Sequence, residues 1–302
     1  MRLRHIEVFH AIMQVGTISG AAEVLHISQP AVTKVLQHCE LQLGMQLFER
    51  VRGKLYPRPE AHRLFVETGK LNRDLQSIRR LAASLKGEHV ESIRVVSSPA
   101  IAVGILPNAM TQWRRDFPAT RCELATHHTS EVVNTLLLGE ADMAFLLHDP
   151  RHPAIVAEPI AEGVMTVIAP AGRWTQKCAA TPLSVDELDD EMIGLPDNDP
   201  LGSLVAAVFD AHGKQPQMRT VVQTYQLASA LVEAGNSMAV VDPFTAAQAR
   251  HLQKRPFSPA IPIRLYLLTA ANAPLSHGAR ELAACIAASA RACLDGAIMG
   301  KG

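Results

Sequence analysis

Apolar residues at helical spacing, broken twice by glycine within the first 44 positions, constrain this chain more than any other feature. Leu3, Ile6, Phe9 and Met13 recur on one face of a helix over residues 3–15, and Gly16 stops it. Thr17 is placed to cap a short second helix through Ala21, Ala22, Val24 and Leu25, whose small residues let a neighbour approach closely. Ser28 is a good cap for a third helix from Gln29 to Leu43, with Val32, Val35, Leu36 and Cys39 on its apolar stripe and Gly44 ending it.

Two short helices joined tightly, the second presenting amide, hydroxyl and cationic groups near its start, form the arrangement that reads base edges in a major groove. The DNA-contact candidates on it are Ser28, Gln29, Pro30, Thr33, Lys34 and Gln37. In the following LFERVRGKLYPR, Arg50, Arg52, Lys54 and Arg58 crowd around Gly53 against the single acid Glu49. This reads as a hairpin wing whose cations, Arg50, Arg52 and Lys54 foremost, meet phosphate or enter a minor groove. The competing reading is a solvated charged face on a small helical bundle.

Charge supports the first reading once it is divided along the chain. The 302 residues carry 29 Lys+Arg and 29 Asp+Glu, but residues 1–90 hold 13 and 8 and the remainder 16 and 21. A basic module is therefore joined to an acidic one. With 48% hydrophobic and 19% charged residues the chain is an ordinary globular protein, and no apolar run reaches the roughly 18–20 residues of a membrane span. MRLRHIEVFH lacks the apolar core of a secretory signal, so a cytoplasmic location is expected. Five scattered cysteines without a C-x-x-C suggest neither a disulfide framework nor a zinc site.

The run RHIEVFHAIMQVGTISGAAEVLHISQPAVTKVLQHCELQLGMQLFERVRGKLYP resembles the LysR-type transcriptional regulators. Within that family RHIEVFHAIM, LFERVRGKLYP and the later VVDPFTA look most like the lysine-biosynthesis activator and the opine-catabolism regulators. Where most members carry Thr, two residues and Gly after the wing, this chain has Arg58-Pro59-Glu60-Ala61. Pro59 at a first helical position with Glu60 beside it suits a helix start without the threonine. The resemblance implies a regulator switched by a small-molecule co-inducer and needing no catalytic cofactor. It also implies a tetramer built as a dimer of dimers, with RNA polymerase as a further partner and no membrane attachment.

From residue 59 to about 87 the pattern continues as one helix, in which Leu64, Thr68, Leu71, Leu75, Ile78, Ala82 and Leu85 make a heptad seam with a weak point at Thr68. A lone helix would expose that seam. The resemblance makes it a linker that pairs two subunits, which places two reading heads on double-stranded DNA with paired half-sites.

Beyond residue 90 the texture changes to short β-rich runs alternating with helical ones. Strands are expected at 92–98, 121–126 and 142–147 with helices at 102–115 and 130–138, then strands at 164–169, 192–195, 219–224 and 238–242 with helices at 201–212 and 225–234. The chain returns through 263–269 to a helix over about 276–295. This βαβα order predicts α/β lobes with covered parallel sheets, similar to the two-lobed periplasmic-binding-protein-like effector domain of the same family. The expected organisation is a winged helix-turn-helix over 1–58, a linker helix over 59–87 and an effector domain over 91–302. Its first lobe takes about 91–163 and 267–302, its second about 164–266.

In such lobes a ligand sits outside the carboxyl ends of the strands, so candidates stand where strands stop. These are Ser97 and Ser98, Thr129 and Ser130, Asp197 and Asp199, Thr224, Tyr225 and Gln226, and Asp242. Each Ser or Thr, and Asp242 ahead of Pro243, can equally be a helix cap. If Asp242 faces Ser97 and Ser98 across the cleft, hydroxyls take a carboxylate and Asp242 an ammonium, which suggests an amino acid or derivative as inducer. No phosphate-binding or hydrolase motif occurs, and His127-His128, adjacent in a strand, would point to opposite faces and share no metal. The chain is therefore expected not to be an enzyme. The alternative is a two-lobed ligand-binding or amino-acid-metabolising protein whose N-terminal helices serve only for oligomerisation.

Overall fold

The computed structural model describes the chain apart from residues 52–53, 66, 70–91, 128, 138, 176–177, 179–180, 189–190, 197–198, 236, 272 and 299–302. It divides into two compact units, Met1–His89 with Leu137–Gly139, and Val90–Leu136 with Glu140–Gly302.

The first unit opens with α1 (Leu3–Val15), α2 (Ile18–Val24) and α3 (Gln29–Leu43). Gly16 and Gly44 end α1 and α3 in the left-handed conformation, φ 73° and 68°, as the glycine positions predict. An antiparallel hairpin follows, β1 (Phe48–Val51) and β2 (Lys54–Pro57), paired from Phe48–Pro57 to Val51–Lys54. Phe9, Ile12, Ala21, Val32, Leu36, Cys39 and Leu47 form one core. Glu40 ties the recognition helix to the hairpin, because its Oε1 accepts from the backbone N–H of Leu47 at 2.7 Å and of Phe48 at 3.2 Å. Nothing in the periodicity singled it out.

Helix α4 begins at residue 59 and is described through 65 and at 67–69. Arg58 starts it with its backbone: its carbonyl accepts from Ala61 N at 2.9 Å while Pro59 takes the first helical position. Here the heptad expectation needs correction. Leu64 and Phe65 pack against the core of their own unit, and Thr68 is buried there. The Thr68 hydroxyl donates to Leu64 O at 2.8 Å and so accepts from His10 Nε2 at 2.7 Å. Thr68 is thus an anchor between α4 and α1, and the rest of the seam, from Leu71, lies outside the described residues.

The second unit contains two sheets. The first has the order β4 (Arg121–Thr126), β3 (Ser92–Ser97), β5 (Met143–Leu146), β13 (Pro262–Ala270), β6 (Ile155–Val164). The second has the order β10 (Gln217–Val221), β9 (Glu191–Gly194), β11 (Met238–Val241), β7 (Thr166–Ala169), β12 (Gln253–Ser258), β8 (Leu183–Ser184). Both are mixed rather than purely parallel: β13 runs antiparallel to β5 and β6, and β7 antiparallel to β11 and β12. The chain thus crosses between lobes twice, through β6–β7 and β12–β13. The whole of Pro262–Ala270 belongs to the first sheet, so the return precedes residue 262 rather than 267.

Helices α5 (Pro99–Gly104), α6 (Leu106–Trp113), α7 (Thr129–Leu137) and α11 (His277–Ile298) accompany the first sheet; α8 (Pro200–Ala211), α9 (Tyr225–Ala234) and α10 (Pro243–Gln248) accompany the second. Trp113 locks α6 to α11, with its Nε1 donating to Gly278 O at 2.9 Å and its ring stacked on Phe117. Strands β6 and β12 carry no clean alternation and escape sequence reading. Pro159 and Gly163 interrupt β6, and β12 holds Lys254-Arg255-Pro256. Arg255 is nonetheless buried, its Nε and Nη2 donating to the carbonyls of Thr181 and Pro182 at 2.8 and 2.9 Å. No helix among the described residues is long and apolar enough to cross a membrane.

Burial depresses the His10 imidazole to about 4, and its Nδ1 has no partner among the described residues. An unfolded histidine titrates near 6.5, so the unfolded chain takes up this proton first, and stability is complete above pH 6.5 and falls as pH drops toward 4. His10→Gln should shrink the loss of thermal stability between pH 7 and 4.5 without abolishing it, since burial also holds His5 below its ordinary value.

Candidate functional site

In the first unit the outward face of α3 carries Ser28, Gln29, Pro30, Lys34 and Gln37, all exposed, while Val32, Leu36 and Cys39 turn inward. Thr33 is half-buried and its hydroxyl donates back to Gln29 O at 3.1 Å. Ser28 occupies the N-cap position, but its hydroxyl makes no capping bond, in contrast to Thr17, which accepts from Gly20 N at 3.1 Å. A free hydroxyl beside exposed amide and ammonium groups is suited to phosphate and base contact. The turn before Ser28 is sharp, with His26 held at φ 51°. On the hairpin, Arg50 stands opposite Leu55 and Lys54 opposite Val51; Arg52 lies outside the described residues.

In the second unit a cleft of about 520 Å³, its open mouth included, is lined by Ser98, His127, Leu146, His148, Leu195, Asp199, Gln223, Thr224, Tyr225 and Gln226, among others. These residues follow the carboxyl ends of β3, β4, β5, β9 and β10, where open α/β sheets bind ligands. Among the described residues the cleft's lining holds no Lys or Arg.

Three polar atoms there are buried and have no hydrogen-bond partner among the described residues: Ser98 Oγ, Tyr225 OH and Gln226 Oε1. Buried polar atoms are ordinarily satisfied, so three orphans on residues lining one cleft, Ser98 on the first lobe and Tyr225 and Gln226 on the second, mark a place for a ligand's own donors and acceptors. Ser98 precedes α5 but its side chain makes no cap bond, which removes the capping alternative for it. Thr224 does cap, accepting from Leu227 N at 3.3 Å, and so does Asp199, whose Oδ2 accepts from Leu201 N and Gly202 N at 3.1 and 2.8 Å.

Burial, reinforced by the carboxylates of Asp199 and Asp242, pushes the Tyr225 phenol well above its usual range. The hydroxyl is therefore a neutral donor and acceptor. Burial likewise lowers His148, partly opposed by Asp199 and Asp149.

Of the remaining candidates, Ser97 and Asp242 are not among the described lining residues. Ser97 is fully buried within β3 and outside the lining, although its Oγ is also unpartnered among the described residues. Asp242 does not face the cleft: it is 0% exposed and caps α10, Oδ1 accepting from Phe244 N and Thr245 N at 2.9 and 3.0 Å and Oδ2 from the Thr245 hydroxyl at 2.5 Å. A carboxylate before Pro243 finds these donors on its own chain at no cost in reach. Thr129 and Ser130 open α7 by their backbone, and Asp197 lies outside the described residues. His127, His148 and Gln223 are contributors that sequence reading missed. His127 and His148 each sit just past a strand's end, the same signal that found Ser98.

Residues 3–62 match the family model described as bacterial regulatory helix-turn-helix protein, lysR family, and residues 86–291 match the LysR substrate binding domain. This chain belongs to the LysR family of bacterial transcriptional regulators. It is 35% identical over 280 residues to the HTH-type transcriptional regulator DgcR of a Pseudoalteromonas species, covering 92% of this chain and 96% of that protein. It is 31% identical to the transcriptional activator protein LysR of Escherichia coli (strain K12), covering 91% and 89%. Full-length OxyR C199D from Pseudomonas aeruginosa shares the fold, with a TM-score of 0.69 at 21% identity over 96% of this chain and 94% of that one. LysR-family members are DNA-binding regulators with an effector-binding domain, not enzymes, which decides against the ligand-carrying or metabolic alternative.

If the orphaned hydroxyls serve a ligand rather than the fold, Tyr225→Phe and Ser98→Ala should each leave the unliganded protein within about 0.5 kcal/mol of its original stability or raise it. Losses above about 1 kcal/mol in thermal or urea unfolding would show that the hydroxyls have internal partners.

Proposed function

We propose that this LysR-family regulator binds DNA with paired half-sites through α3 and the wing and responds to an amino acid or amino-acid derivative held in the cleft. The observation that carries the effector reading is the convergence of Ser98 Oγ, Tyr225 OH and Gln226 Oε1, buried and unpartnered among the described residues, on a cleft without Lys or Arg in its lining. A purely anionic acid would meet no countercharge there and would face Asp199. A molecule with both a carboxylate and an ammonium fits hydroxyl and imidazole groups on one lobe and amide and carboxylate groups on the other. Resemblance of the sequence to regulators of lysine biosynthesis and opine catabolism supports the same class.

On the DNA side Ser28, Gln29, Pro30, Thr33, Lys34 and Gln37 face the major groove, and Arg50, Arg52 and Lys54 the backbone or minor groove. Residues 59–87 pair two copies, with the seam beginning at Leu71 because Leu64 and Thr68 serve their own unit. Two such pairs make a tetramer, and the protein acts in the cytoplasm, on the chromosome. Effector binding shifts the lobes between two arrangements by its differential affinity for them, and so changes how the paired heads engage DNA and RNA polymerase.

Fluorescence anisotropy with DNA from upstream of the protein's own coding region tests the DNA half. Arg52→Ala should weaken binding and flatten its salt dependence by about one unit of slope, whereas Gln29→Ala or Thr33→Ala should mainly lower discrimination between sequences. An unchanged salt slope in Arg52→Ala removes the wing assignment. Calorimetry with L-amino acids, opines and simple aromatic acids tests the effector half. Tight binding of the uncharged or purely acidic compounds alone would contradict it.

A further inference from the structure

The Gln226 side chain is held by a directed chain of hydrogen bonds that begins at a buried carboxylate. Asp242 Oδ2 accepts from the Thr245 hydroxyl at 2.5 Å, and Asp242 is shut off from solvent and forms no ion pair among the described residues. Having given its only proton to the carboxylate, Thr245 Oγ1 can only accept, and the group that donates to it is Gln226 Nε2 at 3.1 Å. The amide has two ends. With its NH2 committed to Thr245, its carbonyl oxygen is turned away from that hydroxyl, and it is the buried, unpartnered acceptor of a residue that lines the cleft. With Asp242 ionised, the orientation follows from the chemistry of the chain, independently of how oxygen and nitrogen are assigned from shape.

The geometry points to Asp242 as a positioning residue that, through Thr245, fixes Gln226 with its acceptor toward the cleft and so makes the second lobe select an effector bearing a cationic hydrogen-bond donor, an ammonium or a guanidinium. The inference rests on the amino-acid reading above and specifies which wall takes which end of the molecule. Asp199 and Asp242 both act on Tyr225 beside Gln226, so this wall is negative as well as accepting. Ser98, His127 and His148, on the first lobe, are left for the carboxylate end.

The test uses the full chain and calorimetric titration with L-lysine, L-arginine and octopine, each beside its counterpart lacking the α-nitrogen or guanidinium. Thr245→Val keeps the shape of the side chain but cuts the relay, and Thr245→Ser restores it. The wild type should prefer the nitrogen-bearing member of at least one pair by about ten-fold or more, the size of a hydrogen bond to a charged group. Thr245→Val should lose that preference while still binding in a Ser98-dependent manner, and Thr245→Ser should regain it. If Thr245→Val retains the preference, the relay is wrong although the amino-acid reading stands. If only the nitrogen-free acids bind, or none of the probes binds, that reading fails and takes the relay with it. Should Thr245→Val not fold, Gln226→Leu carries the same comparison, and a retained preference there overturns the proposal equally.

Discussion

A buried carboxylate with no ion-pair partner among the described residues organises the start of α10 and, through Thr245, the side chain of Gln226. Asp242 follows β11, entirely buried, and burial raises its carboxyl above the usual range while three donors, the Thr245 hydroxyl and the N–H groups of Thr245 and Phe244, together with its own N–H, pull the other way. Burying an ion costs several kcal/mol, and bonds to charged acceptors contribute about 1.5–3 kcal/mol each, so the three donors are what make the position tenable. Two of them, the N–H groups of Phe244 and Thr245, fix the start of α10. The third, the Thr245 hydroxyl, transmits the orientation to Gln226 on α9. One ionised group thereby connects the packing of two helices to the polarity of the cleft.

The rest of the cleft follows from topology. The chain crosses twice between the sheets, and the carboxyl ends of β3, β4 and β5 from one and β9 and β10 from the other open on the same crevice. Such a crevice exposes loops and helix starts whose polar groups cannot all be satisfied internally. Here the residue is three unpartnered atoms among the described residues, and a regulator can use them as a sensor because the molecule that satisfies them changes the balance between lobe arrangements. In the DNA-binding unit the same division of labour holds, with Glu40 and Thr68 tying hairpin and α4 to the core while the outward face of α3 stays uncommitted.

Much of this was legible in the residues. Apolar spacing with Gly16 and Gly44 placed α1 and α3, and the strand-end rule led to Ser98, Asp199, Thr224 and Tyr225. What failed did so for physical reasons. Strands β6 and β12 hide behind Pro159, Gly163 and Lys254-Arg255-Pro256, because edge pairing and carbonyl-bonded Arg255 tolerate residues that strand patterns exclude. Thr68 looked like a defect in a seam because its partner, His10, is 58 residues away in sequence. For Asp242 the sequence offered two roles, cap or cleft, and the choice depends on which donors the side chain reaches. That is tertiary information. The neutral total charge concealed a basic reader and an acidic sensor, and only its division along the chain was informative.

A crystal structure of the full chain grown with the amino acid or derivative that binds most tightly tests the central claim most directly. The account predicts a cationic nitrogen of the ligand within about 3.2 Å of Gln226 Oε1 and its carboxylate at Ser98 Oγ, with the Asp242–Thr245–Gln226 chain unbroken. A ligand bound in the reverse sense, with its carboxylate against Gln226, or bound outside this cleft, would contradict it.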